Sequence, residues 1–497
     1  MAGESGIRTV PADRVPTPPR IPIKSLVILV ALTATTGCVY FNSLYNANRI
    51  FKQGAKEIEE GRFSNGRVIL EESIQKAERI VENKPNSRWA DDALRLIVRA
   101  RILREEWPQA AESADQLLVY AGTFEDSAEA LGYLGTAEAN LGEPARADSL
   151  ITVALSVEKN DKRRAVLLAY RGQARADLGE FEGAHADLEE VSRLRPKWVP
   201  PRIQHVRLLT DNGFGAAAAE EYATLLTLEY TDLEEREVLD LASYLGERDP
   251  QTGIDALAEA TSSTLLPNNQ ARLMKLRGDL WVEVGDVEAG RAGYHLTDSL
   301  YPGTRAAAEA RLALVELDLV RASSIEDFDS LKVALYRLMA LPSGRRISEA
   351  RSLNDQFIRI EYWLTAGGPG YLLAAETVRD ELGVPRLARN MFLAYSYAEP
   401  EALWVPKAIL AAIDITELDS AGVGEETIVP SNDELRRRLL EDYRESAYVR
   451  ALFGEGGGQY TFEELEQNLK QQLDRLKGLA TQEVRDRNSA LSQQTGG

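Results

Sequence analysis

Residues 133–143 and 170–180 carry almost the same pattern. The first stretch reads Tyr133-Leu-Gly135-Thr-Ala-Glu-Ala-Asn-Leu-Gly142-Glu143, and the second reads Tyr170-Arg-Gly172-Gln-Ala-Arg-Ala-Asp-Leu-Gly179-Glu180, 37 positions further along the chain. Glycines with the same spacing recur at Gly54 and Gly61 and at Gly278 and Gly285. A single pair of this kind carries little information, whereas four pairs indicate that one structural unit is repeated.

The sequence around these stretches has the periodicity of helices. Apolar residues and alanines recur every three or four positions, and residues that favour helices dominate. No convincing run of alternating β-branched residues occurs. The predicted fold class is therefore all-α, and an irregular helical bundle remains open beside a regular solenoid.

The repeat resembles the tetratricopeptide repeat, a helix–turn–helix unit of about 34 residues. The best unit runs from Leu168 to Pro196. The resemblance implies that Gly172 lies where two helices approach closely, that Gly179 makes the turn and that Pro196 closes the second helix. It implies a right-handed α-solenoid of tetratricopeptide-like helix pairs. Its structural residues would be Gly54, Gly61, Gly135, Gly142, Gly172, Gly179, Pro196, Gly278, Gly285, Pro302, Gly383 and Pro400.

Glycine-rich stretches at 367–370 and 454–458 interrupt the helical pattern. We read them as loops between helical blocks. The predicted organisation is a signal peptide over 1–37, a tether over 38–48, a solenoid over 49–366, further helical repeats over 371–453, a C-terminal capping helix over 459–480 and a disordered tail over 481–497. The tether would either dock on the first repeat or begin its first helix.

The only cysteine, Cys38, follows a short apolar run from Leu26 to Ala34. Nine helical residues span less than half of a ~30 Å hydrocarbon core, so the run is too short for an ordinary transmembrane helix. Basic residues precede it, and Gly37 stands directly before the cysteine. The segment resembles the bacterial lipoprotein signal, with Thr35 where that family usually has leucine. This resemblance implies that Cys38 is lipidated and becomes the first residue; a buried cysteine behind a signal anchor is the alternative.

The chain is acidic, with a formal net charge of −20. Residues 1–37 hold four basic and two acidic residues, so their removal brings the charge to −22. Such a chain should repel nucleic acid, and a partner should present basic residues. The three histidines, His185, His205 and His295, are scattered in the sequence without metal-ligand spacing. We therefore expect no metal, no cofactor and no catalytic residues.

Two connectors, 84–93 and 301–310, place proline and a small polar residue before a helix with alanine. They resemble the connectors of bacterial envelope lipoproteins in outer-membrane β-barrel assembly and of the Tol–Pal coordinator. The resemblance implies a non-enzymatic scaffold that binds envelope proteins or peptides in its groove. No charge directly follows Cys38, which favours a lipid anchor in the outer membrane, facing the periplasm. An accessory lipoprotein that regulates cell-wall synthesis or hydrolysis, and a glycan-capture surface lipoprotein, are the alternatives.

We predict that Cys38 carries the lipid. Cells that express the full chain should incorporate labelled palmitate into it, and Cys38→Ser should abolish the label because the acylated thiol is gone. Equal labelling of the two proteins, or a mature N-terminus at another residue, would contradict this prediction.

Overall fold

A computed structural model describes residues 43–83, 85–87, 89–341, 348–419, 430–455 and 460–495. Within these ranges the regular structure is helical, without strands. The helices are α1 (43–59), α2 (Phe63–Asn83), α3 (Ala90–Leu103), α4 (Trp107–Val119), α5 (Phe124–Asn140), α6 (Pro144–Leu155), α7 (Asp161–Asp177), α8 (Phe181–Leu194), α9 (Val199–Asp211), α10 (Gly215–Leu225), α11 (Asp232–Arg248), α12 (Pro250–Ala256), a 3₁₀ turn (Ala260–Ser262), α13 (Pro267–Glu283), α14 (Val287–Leu300), α15 (Arg305–Arg321), α16 (Asp327–Met339), α17 (Ser348–Ala366), α18 (Pro369–Asp380), α19 (Pro385–Ala398), α20 (Val405–Asp419), α21 (Asn432–Asp442), α22 (Ala447–Leu452) and α23 (Phe462–Thr495). The part of the chain described here contains no helix both long and apolar enough to cross a bilayer.

The chain divides into two compact units. Unit 1 comprises residues 1–214 and 228–237, and unit 2 comprises residues 215–227 and 238–497. In unit 1 each helix from α2 to α8 packs on the next, and α3, α5, α7 and α9 also contact one another in order. Contacts between neighbours, and between every second helix, are those of stacked helical hairpins. The prediction of an all-α helical-repeat fold is confirmed.

The turn between α7 and α8 shows why each hairpin reverses sharply. Gly179 lies just past the end of α7 with φ at +76°. Its N–H donates to Ala176 O at 3.0 Å, and the N–H of Glu180 donates to Arg175 O at 2.8 Å. This pair of hydrogen bonds satisfies carbonyls at the helix end and needs a left-handed residue, which glycine adopts without a steric penalty. Four other predicted turn residues have φ between +67° and +90°, namely Gly61, Gly142, Gly285 and Gly383.

The first glycine of each pattern lies inside a helix and has a different role. A Cβ on Gly172 would lie 3.0 Å from Leu188 Cγ of α8, and a Cβ on Gly135 would lie 2.7 Å from Ile151 Cγ1 of α6. Corresponding distances are 2.8 Å from Gly54 to Leu70 Cγ and 2.8 Å from Gly278 to Tyr294 Cδ1. At Gly54, Gly135 and Gly278 a methyl group would force the partner side chain to shift. At Gly172 the space is tight enough that Leu188 would have to give way by a few tenths of an ångström.

Three prolines follow their helices at the same distance. Pro196, Pro302 and Pro400 each stand two residues after the last residue of α8, α14 and α19, respectively. Proline has no N–H to continue the helical hydrogen bonds, so it is common at this position. The carbonyl oxygens are used: Pro196 O accepts from Arg202 Nε at 3.0 Å, and Pro400 O accepts from Tyr443 Oη at 2.9 Å.

Unit 2 contains one large apolar core that spans residues 308–480. The glycine-rich stretch at 367–370 lies within this span, where α17 ends at Ala366 and α18 begins at Pro369. Gly367 and Gly368 have φ of +67° and +50°, and the N–H of Gly368 donates to Glu399 Oε1 at 3.0 Å. The predicted division of the helical repeats at 367–370 is therefore wrong, because these glycines make a tight turn inside a continuous core.

The predicted tail is also wrong for residues 481–495, since α23 continues to Thr495. Ala480 and Val484 are buried, Arg487 Nη1 forms an ion pair with Glu361 at 2.7 Å, and Asn488 Nδ2 donates to Asp355 Oδ1 at 3.0 Å. Docking on α17 thus stabilises a helix whose own composition is polar. At the other end, residues 43–48 belong to α1, where Ala47 O accepts from Ser73 Oγ at 2.9 Å. They begin the first helix, which was one of the two readings of the predicted tether.

We predict that replacing either of the two glycines of one hairpin lowers the stability of the protein, for a different physical reason at each position. Gly172→Leu should lower the free energy of unfolding by about 1–3 kcal/mol because it overpacks α7 against α8. Gly179→Ala should lower it by about 1 kcal/mol through the left-handed backbone alone, since no atom lies within 4 Å of the added Cβ. Chemical denaturation measures both. Gly478→Ala is the control: this glycine lies in α23 with open space around it, so the change should stabilise by up to about 1 kcal/mol. A stabilised Gly172→Leu protein would contradict the packing argument.

Two buried tyrosines of unit 2 provide a matched pair for a second prediction. Both Tyr222 and Tyr395 are fully buried, but Tyr222 Oη donates to Val238 O at 2.9 Å whereas Tyr395 Oη has no hydrogen-bond partner among the described residues. Tyr222→Phe should destabilise by about 1 kcal/mol, and Tyr395→Phe should be neutral or stabilising because it removes an unsatisfied hydroxyl without changing shape. Denaturant titration followed by circular dichroism tests the difference; equal losses in the two variants would refute it.

Candidate functional site

A concave cavity of about 1080 Å³ lies within unit 1. We call it the unit-1 groove. Its walls come from α1, α3, α5 and α7, together with the end of α6, the α6–α7 connector and the residue after α8. The lining is Phe51, Ala55, Glu59, Arg95, Arg99, Ile102, Leu103, Glu125, Asp126, Glu129, Gly132, Tyr133, Thr136, Ala154, Val157, Glu158, Lys159, Asn160, Lys162, Arg163, Val166, Leu167 and Arg195.

The repeat itself places these side chains on one surface. Arg95 and Arg99 of α3 precede Glu129 and Tyr133 of α5 by 34 positions each. Residues four apart on a helix share a face, so each first helix presents a pair of this kind. Because α3, α5 and α7 pack side by side, the pairs form a continuous wall.

Arg95 and its acidic neighbours form the centre of this wall. Arg95 Nε forms an ion pair with Glu129 Oε2 at 2.8 Å, and Arg95 Nη1 forms another with Asp92 Oδ1 at 2.9 Å. Partial burial opposes the charge on Arg95, but the surrounding carboxylates outweigh it and raise its pKa. Tyr133 Oη donates to Glu129 Oε1 at 3.0 Å, and burial together with that carboxylate raises the pKa of Tyr133. Asp91 and Asp126 also lie within 4 Å of Arg95, so four carboxylates surround one cation and this part of the groove has an excess of negative charge.

A second ion pair in the groove joins Arg163 to Glu158. Arg163 Nε lies 2.7 Å from Glu158 Oε2. Burial disfavours the carboxylate, yet its hydrogen bonds with Arg163 and with the backbone hold the pKa of Glu158 below its ordinary value.

The remaining four cations of the groove lie outside these two ion-pair clusters. Arg99 lies with its guanidinium carbon 4.6 Å from the ring centre of Phe51, and Arg195 lies 4.1 Å from the ring centre of Trp198. Burial lowers the pKa of Arg195, and the charge of Glu59 acts against that shift. Lys159 and Lys162 are exposed at the rim. No ion pair within 4 Å involves these four side chains in the described parts of the chain.

The predicted structural residues lie outside this lining. The glycines and prolines named from the sequence occupy helix contacts, turns and helix ends, and none of them lines the groove. The residues that line the groove were not predicted as a site from the sequence. The equal spacing of Arg95 with Glu129 and of Arg99 with Tyr133 could have indicated them, because a spacing of one repeat length places residues on equivalent faces.

Two of the histidines, which are 20 positions apart in the sequence, lie together in the structure. His185 Nδ1 and His205 Nε2 lie 2.8 Å apart and share a hydrogen bond, since α8 and α9 bring them together. Phe181 stacks on His185 with ring centres 5.7 Å apart. Among the residues that the structure describes, no three His, Cys, Asp or Glu side chains converge as metal ligands would. Cys38 lies outside the described residues.

Unit 2 has a smaller cavity of about 470 Å³ between the start of α20 and the segment from Asp442 to Arg450. Its charged lining is mainly acidic, with Glu401, Asp442 and Glu445 beside Arg450. Its volume is smaller than that of the unit-1 groove, and its lining does not come from a row of repeated helix faces.

No protein-family model and no curated protein matches this chain. Solved structures with a likeness include a tetratricopeptide repeat protein from Parabacteroides merdae (14% identity, covering 51% of this chain and 93% of that one, TM-score 0.29). Others are a thermophilic tetratricopeptide repeat protein of Thermus thermophilus (20%, 41% and 98%, TM-score 0.30) and pilF of Pseudomonas aeruginosa (14%, 54% and 97%, TM-score 0.31). The helical hairpins, with their glycine contacts and turns, show that this chain is an all-α protein of tetratricopeptide-like helix pairs.

Proposed function

We propose that this protein is a non-catalytic scaffold, anchored to the bacterial outer membrane through a lipid on Cys38, that binds envelope proteins or peptides in the unit-1 groove. Its role would lie in envelope or outer-membrane protein assembly. The observation that carries the binding role is the groove itself, a wall of helix faces lined by both charged and apolar side chains.

The size and chemistry of the groove suit a polypeptide segment. Its volume of about 1080 Å³ exceeds the range of about 300–1,000 Å³ typical of small-molecule pockets. Apolar side chains such as Ile102, Val157 and Leu167 lie among charged ones. A peptide in extended or helical form can use both kinds of contact along its length, as in other groove-binding proteins.

The proposal of a membrane anchor is supported by the segment before Cys38. A short apolar run, preceding basic residues and Gly37 favour export and acylation. The acidic chain offers no net attraction to an anionic membrane surface, so attachment would depend on acyl chains; more than one is needed for stable anchoring.

The alternative of glycan capture has less support. Sugar platforms require exposed aromatic rings, and all six tryptophans are buried or half-buried: Trp89, Trp107, Trp198, Trp281, Trp363 and Trp404. No contact in the described residues favours a cell-wall regulator over an assembly scaffold, so that alternative depends on the identity of the partner.

A photocrosslinking amino acid at two positions of the full chain tests the scaffold role in living cells. Val166 lines the groove, whereas Val119 of α4 is 84% exposed and lies outside the lining. We expect adducts with envelope proteins from position 166 and few from position 119. The same adducts from both positions, or none from position 166, would contradict groove binding. In parallel, Cys38→Ser should move the protein out of the outer-membrane fraction; unchanged fractionation would count against the lipid anchor.

A further inference from the structure

The last helix of the described chain, α23, packs across four other helices of unit 2. It contacts α17, α18 and α22, and its Glu466 forms an ion pair with Lys407 of α20 at 2.8 Å. A helix that only caps a repeat array needs to cover the last hairpin, whereas α23 covers a face that several helices build together. We call this face the α23 seat, and its polar residues are Asp355, Glu361, Trp363, Lys407 and Tyr448.

The first turns of α23 bring apolar side chains and one carboxylate to the seat. Leu465 and Leu469 are buried. The carboxylate of Glu466 accepts hydrogen bonds from Lys407 Nζ at 2.8 Å and from Tyr448 Oη at 2.7 Å. Burial opposes the charge of Glu466, but these two donors hold its pKa below the ordinary value. The seat thus recognises a carboxylate at one defined position of the helix that lies on it.

The middle and the end of α23 run antiparallel to α17. Trp363 Nε1 donates to Leu476 O at 3.2 Å, and Arg487 Nη1 forms an ion pair with Glu361 at 2.7 Å. Residue numbers rise along α23 while they fall along α17, so the contact has one direction and one register. Trp363 is only 3% exposed, and its N–H finds its acceptor in α23. Without such a helix on the seat, the indole would lose this acceptor and part of its burial.

The connector before α23 does not specify which seat the helix occupies. Residues 453–461 join α22 to α23 and include Gly454-Glu-Gly-Gly-Gly458. Glycine allows more backbone directions than other residues, and a segment of this length reaches about 30 Å when extended. The helix itself has 34 residues, well above the roughly 12–15 below which isolated helices are marginal. Its length therefore suits transfer from one seat to another as a helix.

We infer that the α23 seat is a self-association site, at which two copies of this chain exchange α23 so that each helix lies on the seat of the other copy. The occupant is a second copy because α23 is the helix whose apolar residues, carboxylate and register match the seat. All of these contacts form equally well within one chain or between two, so concentration decides between the closed monomer and the exchanged dimer. This site goes beyond the proposed scaffold function and is separate from the unit-1 groove, since its residues belong to unit 2.

Two charge-reversal variants test the exchange in the full chain in neutral detergent, with Cys38→Ser added so that no acyl group causes association. Lys407→Glu and Glu466→Lys each place like charges together on the seat, whether α23 comes from the same chain or from an identical copy. When the two proteins are mixed, mutual exchange gives two oppositely charged pairs. We expect the mixture to form a 1:1 dimer, measured by light scattering and by energy transfer between labels. Its dissociation constant should be about tenfold below that of either variant alone, or lower still.

Lys470→Glu mixed with Glu463→Lys is the matched control. Both residues are exposed on α23, and neither forms an ion pair in the part of the chain that the structure describes. This mixture should associate no more than the unchanged protein does. Equal association of the control mixture and the charge-reversal mixture would overturn the inference. So would a charge-reversal mixture that stays monomeric while circular dichroism shows both variants to be folded.

A disulfide trap covers the case in which the reversed charges unfold the seat. Asn488 Nδ2 lies 3.0 Å from Asp355 Oδ1, and Cys38→Ser removes the only cysteine, so Asn488→Cys with Asp355→Cys supplies the only thiols. Oxidation with diamide then joins α23 to the seat that holds it. We expect disulfide-linked dimers on a non-reducing gel, in a share that rises with protein concentration and exceeds that of Asn488→Cys alone. Intrachain bridges alone at every concentration would overturn the inference, and the absence of any bridge would contradict the contact on which it depends.

Discussion

Close contact between the two helices of a hairpin is the constraint on which unit 1 depends. At Gly172 the chain has no side chain, and Leu188 of the next helix fills that space. Gly135 with Ile151 and Gly54 with Leu70 repeat the contact one and three hairpins earlier. A hairpin closed in this way is thin, so successive first helices can touch one another. That contact is what aligns α3, α5 and α7 into the wall of the groove.

The groove has two electrostatic regions with different consequences. Around Arg95, four acids surround one cation, so the cation is compensated while an excess of negative charge remains. Arg99 and Arg195 instead lie against aromatic rings, which attract a cation more weakly than a carboxylate does. The two regions therefore differ in local charge, even though both contain arginine.

The sequence predicts the elements of this fold better than its surfaces. Gly179 and Pro196 act on the backbone of their immediate neighbours, so their structural roles can be predicted from the local sequence. The role of Gly172 can be predicted because the repeat fixes its separation from Leu188 along the sequence. In contrast, the approach of His185 to His205 depends on how α8 meets α9. Likewise, residues 481–495 look disordered by composition, and contacts such as those with Glu361 and Asp355 of a helix distant in sequence hold this end of α23 in place.

The turn between α3 and α4 shows how the repeat can diverge without losing its shape. Glu105 occupies the position that glycine holds after α7, with φ at +63°, and the hydrogen bonds are the same: Glu105 N–H to Ile102 O and Glu106 N–H to Arg101 O. A left-handed residue other than glycine costs roughly 1–2 kcal/mol. The ion pair of Glu105 with Arg67 is exposed, and such pairs are worth at most about 1 kcal/mol. The neighbouring residues must supply the rest, and Pro108 does so in part by fixing the backbone in the first turn of α4. The hairpin is thus specified by the hydrogen bonds of the turn, and glycine is the least costly way of making them.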